Sequence, residues 1–402
     1  MNDALADRAE RYVRELCRYP DRHPGRLGNE AANALFERVV AGRGFEVDSL
    51  EFDCLDWRRG VATLDVGGRR LFLHAGPYSL AVDASAPLAA VDSIDELEAG
   101  TYGGTVLLLH GSLAAGQLMP KNFPFYNPES HRRIIAALEA QAPAAVLAAT
   151  GRDPGMVGSQ YPFPLIEDGD FDIPHAYLKD VDGKRMLDAA GSIARVRIDS
   201  ERIPARGRQL VARRPGAQEG ERVVVFAHID SYHDAPGALD NAGGVASLML
   251  LAELLVGSSH RHTVELVPLN GEDYYATPGH RAWLAANEGR LGGVVLGMNV
   301  DDAGTAGHGT GVSLYACPPA TATLVRGLID ARPGFLEGPQ WPQGDHSLFV
   351  MNGVPAVAFT SEAFMEVLAT IAHTAADSPE NVDPAIVADV ARFMADVIAG
   401  LG

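Results

Sequence analysis

Residues 223–255 read VVVFAHIDSYHDAPGALDNAGGVASLMLLAELL. Val223–Ala227 are apolar without alternation, the pattern of a strand covered on both faces in a parallel sheet. His228-Ile229-Asp230 follow at once, then the loop APGALDN (235–241), then an apolar helical run from Gly243 to Val256. Outward from there, HTVELVPLN (262–270) reads as a second buried strand and GHRAWLAAN (279–287) as a helix. GGVVLGMNVD (292–301) reads as a third strand, PAVAF (355–359) as a fourth, and 383–401 as a closing helix. Strands alternating with helices predict an α/β fold with a mostly parallel central sheet flanked by helices. Residues 4–17 and 29–42 read as amphipathic helices, Arg58–Ala75 alternates as strand does, and 151–175 reads as loop.

In open α/β sheets, ligands bind beyond the carboxyl ends of the strands. Three of these ends carry chemistry: His228 and Asp230, Glu272 and Asp273, Asp301 and Asp302. The segments Asp240-Asn241 and His373…Asp377 carry the same residue types. Taken singly, Asp240 or Asn241 also reads as a cap for the helix that follows, and His373 as a surface histidine. Together they are richer in imidazole and carboxylate than independent caps have reason to be. An all-nitrogen-and-oxygen donor set with two imidazoles suits zinc and is unlike a thiolate structural site.

Composition excludes other classes. The 402 residues carry 33 basic against 52 acidic side chains, a net charge of −19. That leaves little material for the basic face a nucleic-acid binder needs, and it disfavours an anionic membrane surface. Hydrophobic residues make up 47%, enough for a core without staples. Cys17, Cys54 and Cys317 are too scattered for a disulfide framework or a metal clip. The first residues lack the apolar core of a signal peptide, no run reaches the length of a membrane span, and the expectation is a cytoplasmic protein. There is no G-x-S-x-G elbow and no H-E-x-x-H. Gly307-His308-Gly309-Thr310-Gly311 reads as a turn rather than a phosphate cradle.

The stretch that opens with His228-Ile229-Asp230-Ser231 and continues through Gly237-Ala238-Leu239-Asp240-Asn241 resembles the core motif of the M28 family of zinc peptidases. Further segments follow in that family's order: LVPLNGED (266–273), GMNVDDAG (297–304), GDHSLFVMNGVPAVAF (344–359) and IAHTAADSPENVD (371–383). HPGRLGNEAANALFERVVAGRGFEV (23–47) is similar to its N-terminal helix pair. The resemblance implies a zinc-exopeptidase fold over residues 1–59 and 204–402. The section 60–203, with GTVLLLHG, AQAPAAVLAAT and IPHAYLKDVDGKRML, more loosely resembles the inserted protease-associated (PA) domain of such enzymes. Pro124, Phe125, Tyr126 and Tyr161 to Phe163 are then candidates to line a cleft.

Carried over residue by residue, the resemblance implies that His228 and Asp301 hold one zinc ion, that Asp273 and His373 hold a second, and that Asp240 bridges them. Glu272 is the implied general base. Asp230 is placed to accept the free ring N–H of His228, with Asp377 doing something comparable near His373. Asn241, Asp345 and His346 are candidates for supporting or substrate-binding roles. Two zinc ions per chain are expected, with Co2+ or Mn2+ as substitutes, and the implied substrate is a peptide or aminoacyl amide. The sequence leaves the oligomeric state open.

Three departures from the family pattern bear on this. The second acidic ligand is Asp273 rather than Glu, one methylene shorter, which predicts a weaker second site. Gly344 replaces a serine and Ala372 an aromatic residue, which predicts a more open wall. The implied activity is removal of N-terminal residues from peptides. The alternatives are a small-molecule amidohydrolase or glutaminyl cyclase on the same scaffold, and a non-catalytic binding relative.

Overall fold

The computed structural model describes residues 4–19, 21–123, 126–151, 161–218, 220–341 and 344–401. The chain divides into two compact units, residues 1–54 with 206–402, and residues 55–205. Both chain crossings between them run within long strands, Glu46–Val66 and Ile193–Arg214. The resemblance read in the sequence places these boundaries at 59/60 and 203/204, a few residues away.

The sheet of the first unit is built on the strand Arg222–His228, every residue of which is buried. It pairs in parallel with Thr263–Leu269 on one side and Val294–Val300 on the other. Val294–Val300 pairs in parallel with Ala356–Ser361. The register sets His228 beside Leu269 and Val300 beside Phe359. The carboxyl ends of neighbouring strands therefore finish at one edge, and the residues that follow them converge there.

Antiparallel strands flank this parallel set on both sides. Residues 212–214 pair with 264–266, and Thr310–Tyr315 pairs with Ala356–Ser361. Thr310–Tyr315 and the short strand Phe335–Glu337 beside it are additions to the sequence reading, and Thr310 and Gly311 lie in strand rather than in the expected turn.

Apolar periodicity accounts for the helices. Leu5, Ala9, Val13 and Leu16 recur on one face of Ala4–Leu16 and are buried, as a helical stripe requires. Gly243–Leu254 is buried nearly all round, as expected of a helix apolar on every side. The Phe226 ring stacks on Phe349 with centroids 4.3 Å apart and meets Trp283 edge-on at 4.9 Å. Gly297 makes that stack possible, because a Cβ there would lie 2.3 Å from the Phe349 ring.

The second unit has its own core, in which Val91, Leu107, Leu109, Leu138, Val146 and Phe171 pack together. Its parallel strands are Val82–Val91, Val106–Leu109, Ala145–Thr150 and His175–Lys179. Phe163 is 1% exposed and belongs to this unit's interior, which removes it from the candidate cleft residues. Tyr161 hydrogen-bonds Asp180 and Tyr126 is exposed. Pro124 and Phe125 lie outside the described residues. Among the described residues no helix is long and apolar enough to cross a membrane.

Candidate metal centre

Two groups of donors meet at the carboxyl edge of the first unit's sheet. His228 ends its strand with Nε2 2.9 Å from Asp240 Oδ1 and 3.3 Å from Asp301 Oδ1. His373 places Nε2 3.1 Å from Asp240 Oδ2 and 2.9 Å from Asp273 Oδ1. Asp240 is therefore shared, one oxygen turned to each imidazole. Donors about 2.0–2.1 Å from a tetrahedral zinc ion stand about 3.3 Å from one another; the imidazole-to-carboxylate distances in both trios are at or just under that, and all donors of each trio lie within 4.8 Å of one another. The second trio is as close as the first. Asp273 reaches His373 despite its shorter side chain.

The electrostatics also call for cations. Asp240, Asp301 and Asp273 bring three carboxylates to one sheltered place, and Asp273 Oδ2 is buried with no hydrogen-bond partner. Burial, reinforced by Asp240 and Asp345, pushes Asp301 up to about 6. Burial opposes protonation of both imidazoles. Even so, Asp301 and Asp240 hold His228 well above its ordinary value, and Asp273 and Asp240 do the same for His373. Hydrogen bonds from both histidines outweigh burial at Asp240 and hold it far below the carboxylate range. Metal binding at ligands of this kind releases protons.

The supporting residues fall partly elsewhere than expected. Asp230 Oδ1 lies 3.8 Å from His228 Nδ1, beyond hydrogen-bond reach. Its carboxylate instead accepts the backbone N–H groups of Gly271 at 2.6 Å, Glu272 at 3.2 Å and Asp273 at 3.0 Å. Asp230 thus holds the turn that presents the candidate base and one ligand. Asp377 accepts from the backbone N–H of Leu239 at 2.7 Å and of Asp240 at 3.1 Å, so it fixes the bridging residue's backbone rather than His373. Asn241 donates to the Val300 carbonyl at 2.7 Å and accepts from the Gly244 N–H at 3.0 Å. That arrangement ties the loop to the strand before Asp301 and caps the helix.

Glu272 follows Gly271, whose φ of +96° suits glycine. Burial, together with the charges of Asp273, Asp345 and Asp301, raises the Glu272 carboxyl well above the usual range, against the opposing effect of His228. Asp345 is buried and hydrogen-bonded to His280, with its second oxygen unpaired. His346 sets Nε2 2.9 Å from the Trp341 carbonyl, its ring edge-on to Trp341 at 4.2 Å, and it is in neither trio.

The wall is also more filled than expected. Gly344 has φ +119°, and a Cβ there would stand 2.4 Å from the Trp341 ring. Trp341 thus occupies the space that a serine side chain would need. Ala372 is fully buried, and Tyr232 covers the face of His373 instead, with centroids 4.4 Å apart and planes 5° apart.

Sequence reasoning misses Tyr232, His280, Trp341 and Arg22. Arg22 is 1% exposed and donates to the carbonyls of Ile229 at 3.0 Å, Pro236 at 2.7 Å and Gly237 at 2.8 Å. It pins both ends of the loop between His228 and Asp240. Its only sequence signal is a cation in a Pro/Gly/His-rich turn, which names no partner.

The profile of peptidase family M28 matches residues 209–398, the span that supplies all five candidate ligands. A probable leucine aminopeptidase 2 of Aspergillus fumigatus is 23% identical over 84% of this chain and 68% of its own length. Among solved structures, the aminopeptidase from Aneurinibacillus sp. strain AM-1 superposes with a TM-score of 0.77 at 18% identity, covering 98% of this chain and 93% of that one. A zinc aminopeptidase from Bacillus subtilis superposes with a TM-score of 0.73 at 16% identity, covering 98% and 95%. At these identities the superpositions establish the fold, while the profile covers the segment that carries the donors. Residues 209–398, a little under half of the chain, thus match the model of peptidase family M28, and the chain shares the fold of the solved aminopeptidases.

Proposed function

We propose that this protein is a two-zinc aminopeptidase that removes N-terminal residues from peptides. The observation that carries the reading is the division of Asp240 between two trios, Oδ1 to His228 and Oδ2 to His373. His228 and Asp301 would hold one ion, His373 and Asp273 the other, and Asp240 both. When bound, such ions supply Lewis-acid polarisation of an amide carbonyl and a water acidic enough to react near neutral pH.

The protein's own residues supply the proton path and the orientation. Glu272, in the turn held by Asp230, takes a proton from the attacking water on a carboxylate oxygen and delivers it to the departing amine. Its raised proton affinity suits a group that must both accept and return a proton near neutrality. Asp345 and Glu272 keep the surroundings acidic, which favours a substrate carrying a free N-terminal ammonium over a blocked one. The acidic balance of the whole chain, −19, works in the same direction.

The test is hydrolysis of aminoacyl anilides and peptides with free or acetylated N-termini, before and after chelation. The reading expects turnover of free-amine substrates only, lost on chelation and restored by zinc or cobalt. Equal turnover of blocked substrates would favour a small-molecule amidohydrolase. Cyclisation of N-terminal glutamine in place of hydrolysis would favour the cyclase alternative.

A further inference from the structure

The fold holds the two imidazoles of the centre in different ways. His228 ends a strand paired on both sides, in register with Leu269, and is 1% exposed. His373 lies in the loop after the helix Phe364–Thr370, with φ +58° and a side chain 16% exposed. Neither a sheet ladder nor the regular turn of a helix fixes it. The ring torsion of histidine is broad, so the direction of Nε2 depends on what touches the ring. Tyr232 does so, its ring 5° from parallel and 4.4 Å away. Tyr232 is itself backed by a row of rings. His233 meets it at 70° and 5.4 Å, His23 stacks on His233 at 4.4 Å, and Tyr274 stands 5.0 Å from His23.

We propose that Tyr232 is a positioning residue for the half-site formed by His373, Asp273 and the shared Asp240, fixing the His373 ring plane so that this half holds its metal ion. The inference rests on the two-zinc reading above. Removing the ring frees His373 to turn and takes Nε2 off the line shared with Asp240 Oδ2 and Asp273 Oδ1. The half-site of His228 and Asp301 lacks this dependence, because the strand places His228. Residues that orient a metal ligand from behind typically change metal affinity about 10–100-fold when removed.

The experiment is zinc titration of the metal-free full-length protein, with cobalt absorption spectra as a second readout, for wild type, Tyr232→Ala and Tyr232→Phe. Wild type is expected to bind two equivalents. Tyr232→Ala is expected to keep one equivalent at wild-type affinity and to bind the other at least about tenfold more weakly, with a changed spectrum for that ion. Tyr232→Phe, which keeps the ring, is expected to behave as wild type. The tight equivalent retained in Tyr232→Ala shows that the variant is folded. Two wild-type affinities in Tyr232→Ala would overturn the proposal. So would equal weakening of both ions in a variant that melts like wild type, or a Tyr232→Phe variant as damaged as the alanine. A wild-type protein that binds one equivalent or none overturns the two-zinc reading itself, and that result is visible before any variant is compared.

Discussion

The carboxylate of Asp230 accepts the backbone N–H of Asp273 at 3.0 Å while also holding those of Gly271 and Glu272. One buried side chain at the end of the strand Arg222–His228 thereby sets where the neighbouring strand delivers Glu272 and Asp273. Asn in place of Asp230 offers one acceptor oxygen and turns an NH2 group toward N–H donors. Asp230→Asn is expected to cost on the order of 1–3 kcal/mol of stability and to lower kcat well beyond what reduced zinc content explains. Chemical denaturation and metal-normalised kinetics check this. A variant with wild-type stability and turnover would show that the turn holds itself.

Glu272 is read as a proton carrier rather than a ligand. Glu272→Gln should keep its zinc and lose about 10²–10⁴-fold in kcat, checked by metal analysis beside steady-state kinetics. Loss of metal on substitution would mean that Glu272 and Asp273 exchange roles.

Restoring the family's serine at position 344 should harm this protein. The φ of +119° and the Trp341 ring 2.4 Å from a would-be Cβ leave no room for it. Gly344→Ser is expected to lose about 1–3 kcal/mol, and the double variant Gly344→Ser with Trp341→Ala is expected to recover part of that loss. Thermal melting of the two variants decides the matter.

The strands Arg222–His228, Thr263–Leu269 and Val294–Val300 are legible in the sequence because a strand buried on both faces must be an unbroken apolar run. The polar residues that end those runs are legible as a site because sheet topology brings such ends together. Thr310–Tyr315 escapes notice because its glycine-rich approach, Gly307 to Gly311, masks the strand. The contacts of Asp230 and Asp377 escape notice for a different reason. Their acceptors serve backbone N–H groups, and a backbone donor leaves no letter in the sequence. Tyr232 stacks on His373, far away in the chain, and Trp341 folds back over Gly344; both matches exist only in three dimensions.

His175, buried in the second unit, gives a pH signature. Burial pushes it down to about 4, outweighing the Ile173 and Pro77 carbonyls that face its ring. Its ordinary value is about 6.5, so between the two values the unfolded chain binds a proton that the folded chain refuses. Stability is therefore unaffected above about pH 6.5 and falls as pH drops toward 4, by about 2 kcal/mol at pH 5. Melting of wild type against His175→Gln at pH 7 and pH 5 measures it. The wild type should lose more on acidification, and equal losses would assign the sensitivity to other groups.

The central claim is that Asp240 joins two metal ions, and anomalous scattering locates metal ions directly. Crystals of the zinc-loaded protein, measured at the zinc absorption edge, should show two peaks. One is expected among His228, Asp240 and Asp301, and the other among His373, Asp240 and Asp273. A single peak, or two peaks of which either lies away from Asp240, would contradict the account.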